Sequence, residues 1–186
     1  MRDTSNISEI VKILRIPGLR LIGIDGMDGS GKSTLASSLS KELGCPYVNI
    51  DDHIDKNLGQ YVIHVHYDGL QRQLDEAKWP VIIEGACLLA VLERLQLSLD
   101  TLIYVQRVSD YGSWRDKDDY EVNEDIDDFM NKKKEGLQKF VWAEACIEGK
   151  DVPDDVKFPE LVEEIIRYHY TYRPHEKADI IYKRID

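Results

Sequence analysis

The stretch Leu21–Leu43, LIGIDGMDGSGKSTLASSLSKEL, sets an apolar run, a glycine-rich turn and a helix-like pattern in immediate succession. "RLIGID" reads as a buried strand and "KSTLASSLSKELG" as a helix that Gly44 stops. Between them Gly26–Ser33, GMDGSGKS, fits G-x-x-x-x-G-K-[ST] in the strand-to-helix setting that the pattern's chemistry requires. Bare backbone lets successive N–H groups curl inward around an anion, and the helix N-terminus adds the positive end of its dipole. The pattern predicts a triphosphate cradle in which Gly26, Asp28, Gly29, Ser30, Gly31 and Thr34 surround the phosphates. Lys32 supplies a mobile charge to the β- and γ-phosphate oxygens, and the Ser33 hydroxyl is a ligand for the bridging Mg2+.

Outward from that unit the alternation continues. "YVNID" reads as a second strand, "DGLQRQLDEAK" as a helix, "VIIEG" after Pro80 as a strand, "CLLAVLERLQL" as a helix and "TLIYV" as another strand. After Val105 the chain is charged and helical through "NEDIDDFMNKKKEGLQKFVWAEACIEG". Past Pro153 and Pro159 comes "ELVEEIIRYHYTY", then a last strand, "ADIIYKR". Strand–helix alternation without repeats or linkers predicts an α/β chain with the P-loop NTPase fold, a doubly wound sheet of five parallel strands. Before it, "SNISEIVKIL" predicts a short helix capped by Ser5 or Asn6 and ended by Pro17-Gly18, within an extension over 1–18.

The 186 residues suit a single domain, and 42% hydrophobic with 32% charged residues is an ordinary globular balance. No apolar run approaches the roughly 18 residues of a membrane span. "MRDTSNISEIVKILRIPGL" is interrupted by Glu9, Lys12 and Arg15, unlike a secretory leader, so a cytoplasmic location is expected. A net charge of −11 opposes non-specific binding to polynucleotides, which attract basic surfaces. The acidic stretch Asp116–Phe129 reads as a solvated helix face or loop, with magnesium sequestration the weaker reading. Cys45, Cys87 and Cys146 show no C-x-x-C spacing and are expected to be free, buried thiols.

Two carboxylate positions stand out at predicted strand ends. Glu84 closes "VIIEG" at the edge where open α/β sheets gather ligand-binding residues, so it is placed to hold the metal opposite Ser33. Asp51 and Asp52, in "VNIDDH", stand at the carboxyl end of the second strand, or else belong to a helix cap or turn. One of the pair could accept the proton of an acceptor hydroxyl, but neighbours on an extended chain face opposite ways, so both do not serve.

Together "GMDGSGKSTLA", "NIDDH", "VIIEGACLL" and "YRPHEKADIIYKR" resemble the uridine kinase-like P-loop kinases, the branch with uridine-cytidine and nicotinamide riboside kinases. The resemblance covers most of residues 20–105 and 172–184. It implies that Asp51 is the catalytic aspartate and also lies near the metal, and that Glu84 is the glutamate of the I-I-E-G segment. It further implies that Pro174, Ala178 and Asp179 lie near the adenine, and that a helical lid occupies about 107–150. Arg107 and Arg115 are the best matches to lid arginines, or else surface charges; in the lid reading Arg107 binds the nucleotide and Arg115 assists catalysis. The implied cofactors are ATP and Mg2+.

The acceptor side is thinner. If "YVIHVHYD" is extended, His64 and His66 share a face and line a pocket with Tyr61 or Tyr67; an exposed strand or loop is the alternative. Asp52, His53, His66 and Tyr67 form the candidate acceptor set, suited to hydroxyls and a ring. "RYHYTYRP" mixes aromatics with cations as a nucleotide clamp would, with Arg173 on the nucleotide, although Tyr168 and Tyr172 at helical spacing equally suit the core. Lys56, Arg72 and Lys78 are the only cations between Gly44 and Glu84. A nucleoside monophosphate kinase, which holds its acceptor phosphate with arginines, is therefore the second reading. A GTPase-type switch or non-catalytic nucleotide binder is the third, and "NKKKEG" supplies no guanine-reading N-K-x-D. The expected partners are ATP and a small hydroxylic metabolite, with no polynucleotide, no membrane and a possible homo-oligomer.

Overall fold

The computed structural model describes residues 1–55, 58–151 and 156–185; Lys56 and Pro153 lie outside them. The elements run β1 (Arg2–Thr4), α1 (Ile7–Leu14), β2 (Leu21–Gly26), α2 (Lys32–Leu43), β3 (Tyr47–Asn49), α3 (Tyr67–Glu76), β4 (Val81–Glu84) and α4 (Leu88–Leu95). Then follow β5 (Thr101–Val108), α5 (Lys117–Tyr120), α6 (Ile126–Glu148), α7 (Glu160–Tyr172), α8 (Pro174–Lys177) and β6 (Ile180–Ile185). Six parallel strands stand in the order β1-β6-β5-β2-β4-β3.

Strict alternation along the strands builds two cores. Ile22, Ile24, Ile82, Ile103, Val105 and Ile180 face α1 and α2, where Ile10, Leu14, Leu35 and Leu39 meet them. Leu21, Val81, Ile83, Leu102, Tyr104 and Ile181 face the other way, onto α3, α4 and α7 through Leu70, Leu88, Val91, Ile165 and Ile166. A strand covered on both faces needs apolar residues at every position, which is why β2 and β4 read as continuous runs. β2 lies between β5 and β4, so the glycine-rich turn leaves the middle of the sheet at its carboxyl edge.

The sheet corrects the expected strand count from five to six. β1 pairs with β6, Arg2 opposite Ile180 and Thr4 opposite Tyr182, and Lys183 reaches Asp3 at 2.6 Å. Asn6 caps α1, its side chain accepting the Ser8 N–H at 2.8 Å, and the helix ends at Leu14, short of Pro17-Gly18. "YVNID" is a strand only to Asn49, because Ile50–His53 turns into a 3-10 helix that Asn49 caps. "YVIHVHYD" is not extended: Val62–His64 forms a 3-10 turn and His66 precedes α3, so His64 and His66 share no strand face. Cys45 and Cys87 are buried, whereas Cys146 is exposed. No helix among the described residues is long and apolar enough to cross a membrane.

Acidic residues of 116–129 are spent on ordinary structure. Asp125 caps α6, Asp116 pairs with Arg107, Asp119 with Lys133 and Glu124 with Lys132. Among the described residues no group of three His, Cys, Asp or Glu side chains is arranged to hold a metal ion.

Candidate nucleotide and acceptor site

At the end of β2 the backbone must pass close to its neighbours. A Cβ on Gly26 would lie 2.8 Å from the Val105 carbonyl oxygen and 2.9 Å from the Ser30 hydroxyl. Gly31, at φ +97°, takes the left-handed conformation that opens α2, so the glycines the motif demands are also demanded by sterics. Lys32 begins α2 and folds back, its Nζ donating to the Met27 carbonyl at 2.8 Å. The loop thus encircles a buried ammonium at a helix N-terminus, an arrangement suited to phosphate.

Glu84 is the counterpart across the sheet. Register places it beside Ile24 of β2 and Asn49 of β3, and it is 1% exposed. Burial pushes its carboxyl above the usual carboxylate range; the Ser33 hydroxyl and the Lys32 charge act against this, and Asp51 and Asp52 add to it. Its Oε1 has no hydrogen-bond partner among the described residues. A buried carboxylate oxygen without a partner is costly, and beside Ser33 and Lys32 it fits a cation that takes its other ligands from phosphate and water. Ser30 likewise keeps a buried hydroxyl without a hydrogen-bond partner among the described residues.

Asp51 lies on the 3-10 turn, its backbone N–H held by the Asn49 side chain at 2.9 Å. It shares with Lys32 a cavity of about 650 Å3, which Asp28, Asp55 and Glu160 also line. Ile54, Leu58, Tyr61, Leu161 and Ile165 supply the apolar wall. The Tyr61 phenol donates to Asp51 Oδ1 at 2.6 Å.

The P-loop residues, Glu84 and Asp51 therefore converge, but the four expected acceptor residues do not. Asp52 is exposed on the turn, outside the cavity lining. His53 meets Gln73 of α3, and His66 meets Asp55 at 3.0 Å on the surface. Tyr67 donates to the Val62 carbonyl at 2.7 Å, with Arg94 over its ring. Tyr61, offered by the sequence as the alternative to Tyr67 in lining a pocket, is the one in the cavity wall.

The arginines divide similarly. Arg107 at the end of β5 is engaged by both carboxylate oxygens of Asp116, at 3.2 and 2.5 Å, and Arg115 N–H donates to the Arg107 carbonyl at 3.0 Å. Arg173 sits in the left-handed conformation between α7 and α8 and pairs with Glu176 at 3.0 Å. The guanidinium on the P-loop belongs to Arg184, missed in the sequence: its Nη1 donates to the Gly29 carbonyl at 3.1 Å and lies over Gly31. Arg184 stands opposite Arg107 in the β5–β6 register, which brings both to the carboxyl edge.

Asp25, also missed, is fully buried under the loop. It accepts the Gly26 N–H at 2.7 Å on one oxygen and the Tyr168 hydroxyl on the other. Burial lifts its pKa from 3.8 to about 6, against the lowering effects of Tyr168, the Gly26 N–H and Lys32.

Known proteins resemble this chain in fold and in local sequence. The Shikimate kinase family model matches residues 28–68, from the glycine-rich loop through Asp51 to the start of α3. A protein of Pyrococcus furiosus named "Putative adenylate kinase" is 40% identical over 57 residues, which is 30% of this chain and 29% of that relative's length. Among solved structures, "Structure of a Possible Uridine Kinase from Bacillus stearothermophilus" superposes with a TM-score of 0.50 at 19% identity, covering 95% of this chain and 96% of that one. The structural likeness gives the fold, that of the P-loop kinases, and the sequence matches support a P-loop phosphotransferase.

Proposed function

We propose that this chain is an ATP- and Mg2+-dependent kinase that phosphorylates a hydroxyl of a small unphosphorylated metabolite, nucleoside-like in shape, in the manner of the uridine kinase-like enzymes. The observation that carries this reading is the shared cavity: Lys32 of the phosphate cradle and the Asp51 carboxylate line one pocket, with Glu84 buried and short of a partner beside Ser33.

In this reading the loop amides and Lys32 hold the triphosphate and meet the charge that develops on the transferring group. Ser33 and Glu84 hold the metal, which when bound would neutralise charge on the bridging phosphate oxygens. Asp51 accepts the acceptor hydroxyl's proton as that oxygen bonds to the γ-phosphorus and the bond to the ADP oxygen breaks. No phosphoenzyme is required. Arg184 and Arg107 add positive potential at the nucleotide rim.

The cavity's charge favours this acceptor over a nucleoside monophosphate. Asp28, Asp51, Asp55 and Glu160 line it, and among the described lining residues Lys32 is the cation. A phosphate withdrawn from water needs fixed donors, and Lys32 is committed to the nucleotide. The adenylate kinase name of one relative motivates the rival, so both must be assayed. ADP release is measured with a panel of nucleosides, ribosides and polyols beside nucleoside monophosphates. Turnover of an unphosphorylated alcohol is expected; robust turnover of a monophosphate with none for any neutral alcohol transfers the reading to a monophosphate kinase.

A further inference from the structure

We propose that Tyr61 is a positioning residue that aims the Asp51 carboxylate through its phenol, and that Glu164 of α7 holds Tyr61 in place to do so. The inference rests on the reading of Asp51 as the proton acceptor.

Asp51 lines the cavity from an exposed 3-10 turn, where a short carboxylate has two free torsions. In-line transfer tolerates little misalignment of the base. The Tyr61 phenol, 2.6 Å away, occupies Oδ1 and leaves Oδ2 for a substrate hydroxyl. Tyr61 is 8% exposed, and burial together with the Asp51 charge keeps its proton on. The phenol can therefore only donate toward the carboxylate.

The donor is fixed from the far end of the chain. Glu164 accepts the Tyr61 N–H on Oε2 and the Val62 N–H on Oε1, the latter at 3.1 Å. Two carboxylate oxygens on consecutive amides make a bidentate clasp, which defines direction as well as distance. On its other side the phenol presses against the backbone after Glu84, where a Cβ on Gly85 would come within 2.8 Å of the Tyr61 oxygen. A tyrosine that merely filled the core could be replaced by phenylalanine, because the ring does the packing. Here the one atom phenylalanine lacks is the atom that touches Asp51.

The test compares Tyr61→Phe, Glu164→Gln and the double variant, each in the wild-type and Asp51→Asn backgrounds, with an acceptor found active in the panel. Tyr61→Phe is expected to lower kcat about tenfold, the scale of one aligned hydrogen bond to a charged group, with KM for ATP and the melting temperature little changed. Glu164→Gln acts in the same direction, the double variant is no slower than the slower single one, and neither change slows Asp51→Asn further. Wild-type kcat in Tyr61→Phe, or an equal loss in the Asp51→Asn background, overturns the proposal. If the wild type turns over no alcohol, the kinase reading fails by itself, and crystal structures still decide this inference. One Asp51 rotamer in the wild type and several in Tyr61→Phe support it; the same single rotamer in both overturns it.

Discussion

Replacing Asp25 by asparagine should change how stability depends on pH, and the size follows from its burial. The folded pKa of about 6 stands above the ordinary 3.8. A raised folded pKa means the stabilising protonated state is fully present below 3.8 and is lost as pH climbs through 6. At 1.36 kcal/mol per pH unit, that gap costs the wild type about 3 kcal/mol at neutral pH relative to acid. His169 works in the opposite sense: desolvation holds its pKa at about 4 instead of 6.5, so its contribution is present above 6.5 and lost as pH falls through 4. The two nearly offset each other between pH 4 and 6 in the wild type. Asp25→Asn removes one side of the balance, at a pH-independent cost of about 1 kcal/mol for an amide that cannot accept from both Gly26 and Tyr168. Urea unfolding of both proteins from pH 4 to 7.5 isolates Asp25, since His169 is common to them. The variant should gain about 2.5 kcal/mol on the wild type over that range. A difference that stays flat refutes the reasoning that Asp25 is a carboxyl penalised by its burial.

Other expected outcomes follow from the site. Lys32→Ala should cut kcat/KM by about 10²-fold or more, as loss of a preorganised electrostatic donor does, with circular dichroism unchanged; undiminished phosphoryl transfer would remove the P-loop reading. Asp51→Asn should lower kcat by roughly 10²-fold with ATP affinity little altered, and Asp52→Asn much less, because Asp52 faces solvent; steady-state kinetics showing the reverse order reassigns the base. Glu84→Gln should raise the Mg2+ concentration for half-maximal activity by about tenfold while relieving the strain of a buried carboxylate, so activity falls as melting temperature rises. A magnesium titration unchanged from wild type argues that Glu84 is no metal ligand.

Legibility followed the range of the interactions. The glycine-rich turn between β2 and α2 is built within eight residues, so the turn and the helix after it could be read directly, and the doubly covered strands announced themselves as apolar runs. β1 could not be found that way: Arg2-Asp3-Thr4 carries no apolar pattern and becomes a strand only because β6 offers an open edge. Asp51 stands not on the strand end but on the turn that was its alternative reading, since the Asn49 cap that bends the chain looks like any polar strand end. The long-range polar contacts around the cavity and beneath the loop were the least legible part, because they join residues as distant as Tyr61 and Glu164, and Asp25 and Tyr168.

Helix α7 is where those distant determinants meet. Glu160, Glu164, Tyr168 and Tyr172 recur every fourth residue and so share a face. Glu160 lines the cavity shared by Lys32 and Asp51, Glu164 clasps the backbone of Tyr61 and Val62, Tyr168 donates to Asp25 beneath the glycine-rich loop, and Tyr172 donates to Glu93 of α4. Tyr168 also accepts the Leu89 N–H at 3.1 Å, tying the same helix to the first turn of α4. The apolar residues Ile165 and Ile166 fix α7 to the sheet, which turns Glu164 and Tyr168 of this face toward Tyr61 and Asp25. Sequence periodicity treats such a face as solvent or as core. Its real partition is a third one: Glu164 and Tyr168 bond to Tyr61, Val62 and Asp25, residues far away in the chain. Packing of α7 therefore also holds Tyr61 and Asp25, and under the proposed kinase reading a substitution at Glu164 should register in turnover before it registers in stability.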